Sequence, residues 1–228
     1  MTETETEVHP IEAESYRILR SRLDLSRLPP LTRAVTERII HATADFDFAT
    51  DLICTESALE AGVRALAKGA PVVADVAMVA SGITKYQVIC KARDTLAVRL
   101  ARTTGITLSA AGVRLGFGEA GAGAVWLVGC APTALMEVIS RDVQPALVIG
   151  VPVGFVGAAE AKDALRASGL PSLSNVSEKG GSAVAVAAFN ALLRAARAGD
   201  GQPRPGGGGS ARAGDGQPRS GGGLGARA

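Results

Sequence analysis

The chain has 228 residues, of which 47% are apolar but only 4% aromatic, and its formal net charge is +2. That length supports a full hydrophobic core, and an interior of Ala, Val, Ile and Leu suits a buried parallel sheet flanked by helices. Five Arg against two Asp from Arg197 onward place +3 on the tail and leave −1 on the 196 residues before it, which excludes the broadly basic body that nucleic acid requires.

Residues 1–10 read as a flexible acidic lead, and no apolar run follows TETETE, so no secretion signal is expected. Ile11–Leu23 carries Ile11, Ile18, Leu19 and Leu23 at helical spacing. Pro29 and Pro30 break the chain and open a second helix, Leu31–Ala44. Thr55 is placed to cap a third, Glu56–Lys68. These helices before residue 70 read as an N-terminal extension that packs on a partner subunit. Alternation then begins. Strands are expected at PVVAD (71–75), more weakly at QVIC (87–90), then at VWLVG (125–129), ALVIG (146–150) and SLSNV (172–176). Helices are expected at Arg93–Thr103, Ser109–Leu115, after Pro132, at Ala158–Ala167, and from GGS (180–182) to Ala198. The fold class is α/β: a three-layer α/β/α domain with a mostly parallel sheet of about five strands. ARAGDGQPR occurs at 196–204 and again at 211–219, and residues 199–228 read as a disordered Gly/Pro/Arg tail. The longest apolar stretch, 147–159, is too short and too rich in Gly and Pro to span a bilayer. Cys54, Cys90 and Cys130, with only two histidines, show no metal-ligand spacing. They read as reduced, buried thiols of a cytosolic protein.

The segment LVIGVPVGFVGAAEAKDAL (147–165) is the most informative. A strand ends in a turn spaced by Gly150, Gly154 and Gly157, and a helix follows at once. Such junctions point backbone N–H groups, at the positive end of a helix, toward a ligand beyond the strand. Turn chemistry alone also asks for glycine. The apolar character of GVPVGFVG further suits a ligand with a greasy ring and acidic arms. Two phosphate-loop lookalikes fail: GFGEAG (116–121) precedes a strand instead of following one, and KGGS (179–182) lacks P-loop spacing. His41 sits near the end of LTRAVTERIIHATAD, with Asp45 and Asp47 just beyond. A histidine there is suited to proton donation near neutral pH, or else to a capping role. Lys85, Lys162 and Lys179 lie by the expected ligand-facing loops and could pair with carboxylates.

Taken in order, IEAESYRILR (11–20), RIIHATAD (38–45), GAPVVADVAMVASGITK (69–85), GCAPTALMEVI (129–139), GVPVGFVGAAEAKDAL (150–165) and KGGSAVAVAAFNAL (179–192) resemble the precorrin-8X methylmutase family, also met as cobalt-precorrin-8 methylmutase. The resemblance covers residues 11–195 and implies a domain over 11–198. It implies an isomerase of cobalamin biosynthesis that moves a methyl group from carbon 11 to carbon 12 of an anionic corrinoid precursor, giving hydrogenobyrinic acid or its cobalt form. It implies no cofactor and no metal site, a cytoplasmic homodimer, neighbouring corrin-pathway enzymes as partners, and neither nucleic acid nor membrane. The family's essential histidine falls on His41 as proton donor to the ring. Substrate contacts fall on Ser15, Thr84, Lys85, Thr133, Gly154, Gly157, Lys162, Gly180, Gly181 and Ser182. Helix N-termini after Gly129, Gly150 and Lys179 would receive its carboxylates. The chain departs from the family at Leu108, where an arginine is expected, and at Ile106, Cys130 and Glu14. A lost arginine–carboxylate contact removes ~1.5–3 kcal/mol. The alternative is therefore a diverged, non-catalytic corrinoid-binding or carrier paralogue. A nucleotide-binding α/β enzyme is the third reading.

Overall fold

The structure is a computed structural model, and it describes residues 9–141 and 143–200. The first eight residues of the acidic lead, and the tail with its second repeat from residue 201, lie outside the described residues. In chain order the elements are α1 (Pro10–Arg22), α2 (Pro30–Thr43), α3 (Phe48–Asp51), β1 (Leu52–Cys54), α4 (Glu56–Ala67), β2 (Val72–Ala74), α5 (Ala77–Ser81) and α6 (Thr95–Thr104). There follow α7 (Leu108–Ala120), β3 (Val125–Val128), α8 (Pro132–Ile139), β4 (Leu147–Gly150), α9 (Ala158–Ala167), β5 (Ser172–Asn175) and α10 (Ser182–Asp200). The capping chemistry is as read: the Thr55 hydroxyl accepts the Ala58 N–H (3.2 Å), and Pro132 opens α8, where a missing N–H costs nothing.

The five strands lie in the order β1-β5-β4-β3-β2. β2, β3, β4 and β5 run parallel, and β1 pairs antiparallel with β5, setting Ile53 opposite Ser174. Side chains alternate along each strand and so feed two cores. Val72, Val125, Leu127, Leu147, Ile149 and Leu173 join Val35, Ile39, Leu59 and Phe189 on the face covered by α2, α4 and α10. Val73, Trp126, Val128 and Val148 join Val113, Leu135 and Leu165 on the face covered by α7, α8 and α9. This is the expected three-layer, mostly parallel α/β architecture.

Several local readings change. The N-terminal extension shrinks to α1, because α2 and α4 bury Val35, Ile39, Ile40 and Leu59 in the core and pack on α10. QVIC is not a strand: Ile89 alone bridges Val73, and the chain turns away at once through the Asp94 N–H to Lys91 carbonyl bond (2.9 Å). β1 and α5, three and five residues long, are too short to show periodicity and were not foreseen. GFGEAG closes α7 instead of linking it to β3, with Gly121 ending the helix at φ +67°. Cys130, read as a buried thiol, is exposed. Among the described residues no helix is long and apolar enough to cross a membrane.

Candidate active site

His41 lies half-buried in the last turn of α2, where α1 crosses it. Two ion pairs fix α1 there: Arg38 donates to Glu12 (2.7 Å), and Arg20 grips the buried Glu37 with two N–H groups (3.0 and 2.7 Å); within α1, Arg20 also lies over the Tyr16 ring (5.5 Å). α1 thereby presents two neighbours to the imidazole. The Ser15 hydroxyl is 2.7 Å from Nδ1, and the Tyr16 ring stacks on it at 5.0 Å and 13°. With Nδ1 engaged by Ser15, Nε2 is the nitrogen left to face a substrate. Ser15, read as a substrate contact, thus orients the histidine. Asp45 and Asp47, just beyond α2, pair with Lys179 (2.8 and 2.5 Å). Those two hydrogen bonds hold the Lys179 ammonium well above the usual lysine range.

Lys179 leads from α2 to the carboxyl edge of the sheet, where the glycine turns meet. Gly154 donates to the Glu178 carbonyl (3.1 Å) and Gly181 to the Val151 carbonyl (2.9 Å), so the turns after β4 and β5 are cross-bonded. Gly180 has φ +148°, and a Cβ there would stand 2.3 Å from the Val151 oxygen, so only glycine fits. Gly157 opens α9 in the left-handed region, and no side chain caps that first turn. Ser182 opens α10 beside Gly129. Thr133 bonds Thr107 across the N-termini of α8 and α7 (2.6 Å), and the Cβ of its neighbour Pro132 would meet a Cβ at Gly157 at 3.6 Å. Leu108, Met78, Val153, Phe155 and Val156 are exposed, the last two at 96% and 89%.

Two placements differ from expectation. The helix N-terminus after Gly129 holds no room for an external carboxylate, because the buried Asp75 at the end of β2 already accepts the N–H groups of Gly129, Cys130 and Ala131 (3.2, 2.8 and 3.0 Å). Burial pushes the Asp75 carboxyl up, against the pull of those donors. Lys162, read as a partner for a substrate carboxylate, is wholly buried, with its ammonium on Asn175 Oδ1 (3.0 Å) and on the carbonyls of Ser177 and Lys179. Thr84 and Lys85 are exposed beside α10, and Arg197 binds the Lys85 carbonyl (2.6 Å), toward the far end of that helix from Ser182. The structure thus gathers Gly154, Gly157, Gly180, Gly181 and Ser182, links His41 to them through Lys179, and leaves Lys85 apart within one chain.

Tyr16, Asp75 and Asp51 were not foreseen. Tyr16 was one step from the Ser15 motif, and Asp75 ended a strand, a common position for a site residue. Asp51 gave no sequence signal: it accepts from Asn175, Val176 and Ser177, more than 120 residues away.

The precorrin-8X methylmutase family model matches residues 10–195. The cobalt-precorrin-8 methylmutase of Salmonella typhimurium is 40% identical over 195 residues, covering 80% of this chain and 93% of its own. The precorrin-8X methylmutase of Pseudomonas aeruginosa is 38% identical over 194 residues, again covering 80% and 93%. The crystal structure of precorrin-8X methylmutase from Thermus thermophilus superposes with a TM-score of 0.76 at 36% identity, covering 83% of this chain and 96% of that one. With its parallel sheet, its oriented histidine and its paired glycine turns, the chain belongs to the precorrin-8X methylmutase family, a family of isomerases.

Proposed function

We propose that this chain moves a methyl group from carbon 11 to carbon 12 of precorrin-8X or its cobalt form, with His41 as the general acid. The observation that carries this is an imidazole held on both its Nδ1 and its ring face, on a helix tied by Lys179 to the glycine turns. In the imidazolium, Nδ1–H donates to the Ser15 hydroxyl, and Nε2–H is directed at a ring nitrogen of the substrate. That hydrogen bond withdraws electron density from the conjugated system next to the migrating carbon and lowers the barrier. General acid assistance supplies a factor of ~10²–10⁴, and holding the macrocycle in one reactive shape supplies the rest. The acetate and propionate arms meet the uncapped first turn of α9 and the amides of Gly180 and Ser182, the Gly181 N–H being taken by the Val151 carbonyl. Thr133 lines the outer rim and meets an arm further out, whereas Thr84 and Lys85, by the far end of α10, would reach the substrate only from a second copy. A homodimer is part of this reading. Phe155 and Val156 are too exposed and too apolar to face water in the working protein, and a second copy would cover both them and the open side of the ring.

The test is a conversion assay on cobalt-free and cobalt-bearing substrate, read by the change in absorption spectrum. Wild type should convert at least one of them. His41→Ala should lose ~10²-fold or more in kcat while keeping its melting temperature. Full activity of that variant removes the mechanism. The carrier reading rests on Leu108, an exposed leucine in the first turn of α7 where the family's arginine is expected. Tight substrate binding without spectral conversion by wild type would favour it.

A further inference from the structure

α9 carries a lysine in a position where chemistry alone would choose otherwise. Lys162 has no exposed surface, and burial pulls its ammonium down to about 8. An apolar side chain of similar volume would avoid that desolvation. What the ammonium secures is the turn after β5. It bonds Asn175 Oδ1 (3.0 Å) and the carbonyls of Ser177 and Lys179, the last at 2.7 Å. Asn175 passes the connection on, its amide donating to Asp51 Oδ2 (2.8 Å) and to the Lys179 carbonyl (2.9 Å). Asp51 in turn accepts the N–H groups of Val176 and Ser177 and the Ser177 hydroxyl. From that turn one branch crosses to the β4 turn through the Gly154–Glu178 and Gly181–Val151 bonds, and another reaches the end of α2 through the Lys179 side chain.

We propose, resting on the catalytic assignment above, that Lys162 is a positioning residue. Its ammonium holds the turn 177–181 in the one shape that faces both glycine turns toward the substrate and keeps Lys179 on Asp45 and Asp47, just beyond the helix that carries His41. Lys162 touches no substrate; it acts through the backbone carbonyls it gathers. Methionine at this position fills the same space and leaves the buried Asn175 Oδ1 without its donor and the Ser177 and Lys179 carbonyls with the Asn175 amide alone, so the turn relaxes while both hydrophobic cores stay intact.

The experiment compares wild type with Lys162→Met by steady-state kinetics on precorrin-8X and by amide hydrogen exchange. In the folded variant KM should rise about tenfold or more while kcat falls by a smaller factor. The amides of Gly154, Ser177 and Gly181 should exchange at least ~10-fold faster, with those of β3 and β4 unchanged. A folded variant with wild-type KM and wild-type exchange at those amides overturns the proposal. Should the variant not fold, wild type alone decides: Gly154 and Gly181 must be protected to within about tenfold of the β4 amides, and exchange there at free-chain rates overturns it. A wild-type enzyme that leaves precorrin-8X unchanged refutes the catalytic assignment instead, and the exchange comparison then judges the hold of Lys162 on the turn by itself.

Discussion

At the end of β3 the amides of Gly129, Cys130 and Ala131 close on the Asp75 carboxylate; at the end of β4, Gly157 opens α9 with no side chain over its first turn. The two junctions share a design, a parallel strand running into a helix at the same edge of one sheet, and both concentrate free N–H groups at a positive helix end. The first is satisfied from within the protein and serves stability. The second has no side-chain cap, and in the proposed function it receives an anion from outside. A helix N-terminus is therefore a binding site only where the chain does not supply the anion itself, and the neighbouring strand end decides which.

The sharpest way to break this contrast is to empty the filled junction. Asp75→Ala removes the shared acceptor of three amides, of which that of Gly129 is buried, and should cost about 4 kcal/mol, measured by urea unfolding. Acetate or sulfate should then raise the melting temperature of the variant more than that of wild type; equal responses would show that the two junctions do not differ in occupancy. Next in size is the turn that supports the open junction. Gly180→Ala forces a Cβ to 2.3 Å from the Val151 oxygen at φ +148° and should cost about 3 kcal/mol. Gly105→Ala, at φ +71° with nothing within 4 Å, should cost only about 1 kcal/mol.

The buried ammonium behind the open junction gives a pH signature. The Lys162 pKa is depressed to about 8 in the fold, against about 10.4 in the unfolded chain. Between those values the unfolded chain holds more protons, so this group makes stability rise with pH from about 8 to about 10.4, by up to roughly 3 kcal/mol. Subtracting the unfolding free energy of Lys162→Met from that of wild type across this window should give a rising curve, and a flat one would refute the depressed value. The smallest effect is expected at Thr133. Thr133→Ala removes an exposed bond to Thr107 and should change stability by less than about 0.5 kcal/mol while raising KM, which separates a rim contact from a structural one.

What could be read in the residues was whatever repeats locally. The Thr55 cap, Pro132 at the start of α8 and the strand–glycine–helix pattern of 147–165 each lie within a few neighbouring positions, and each stands as read. The three residues of β1 carry too little periodicity to be seen and gain their place from β5, about 120 positions later. Contacts between separate elements likewise hide the chemistry of the site. Lys162 beside a glycine-rich loop reads as an anion binder, and only its placement under the turn at 177–181 shows that its donors face inward. Asp75 could not be paired with the amides at 129–131 without knowing that β2 and β3 are neighbours.

The helix that aligns the imidazole contributes only Leu19 to the buried set. Under the proposed mechanism, catalytic aim and global folding are thereby uncoupled: proteolysis or a bulky fusion that lifts α1 would leave the two cores standing and His41 untethered. Loss of activity without loss of solubility is the failure mode built into this architecture, and an intact amino-terminal helix is the first thing to verify in any preparation that folds but does not turn over.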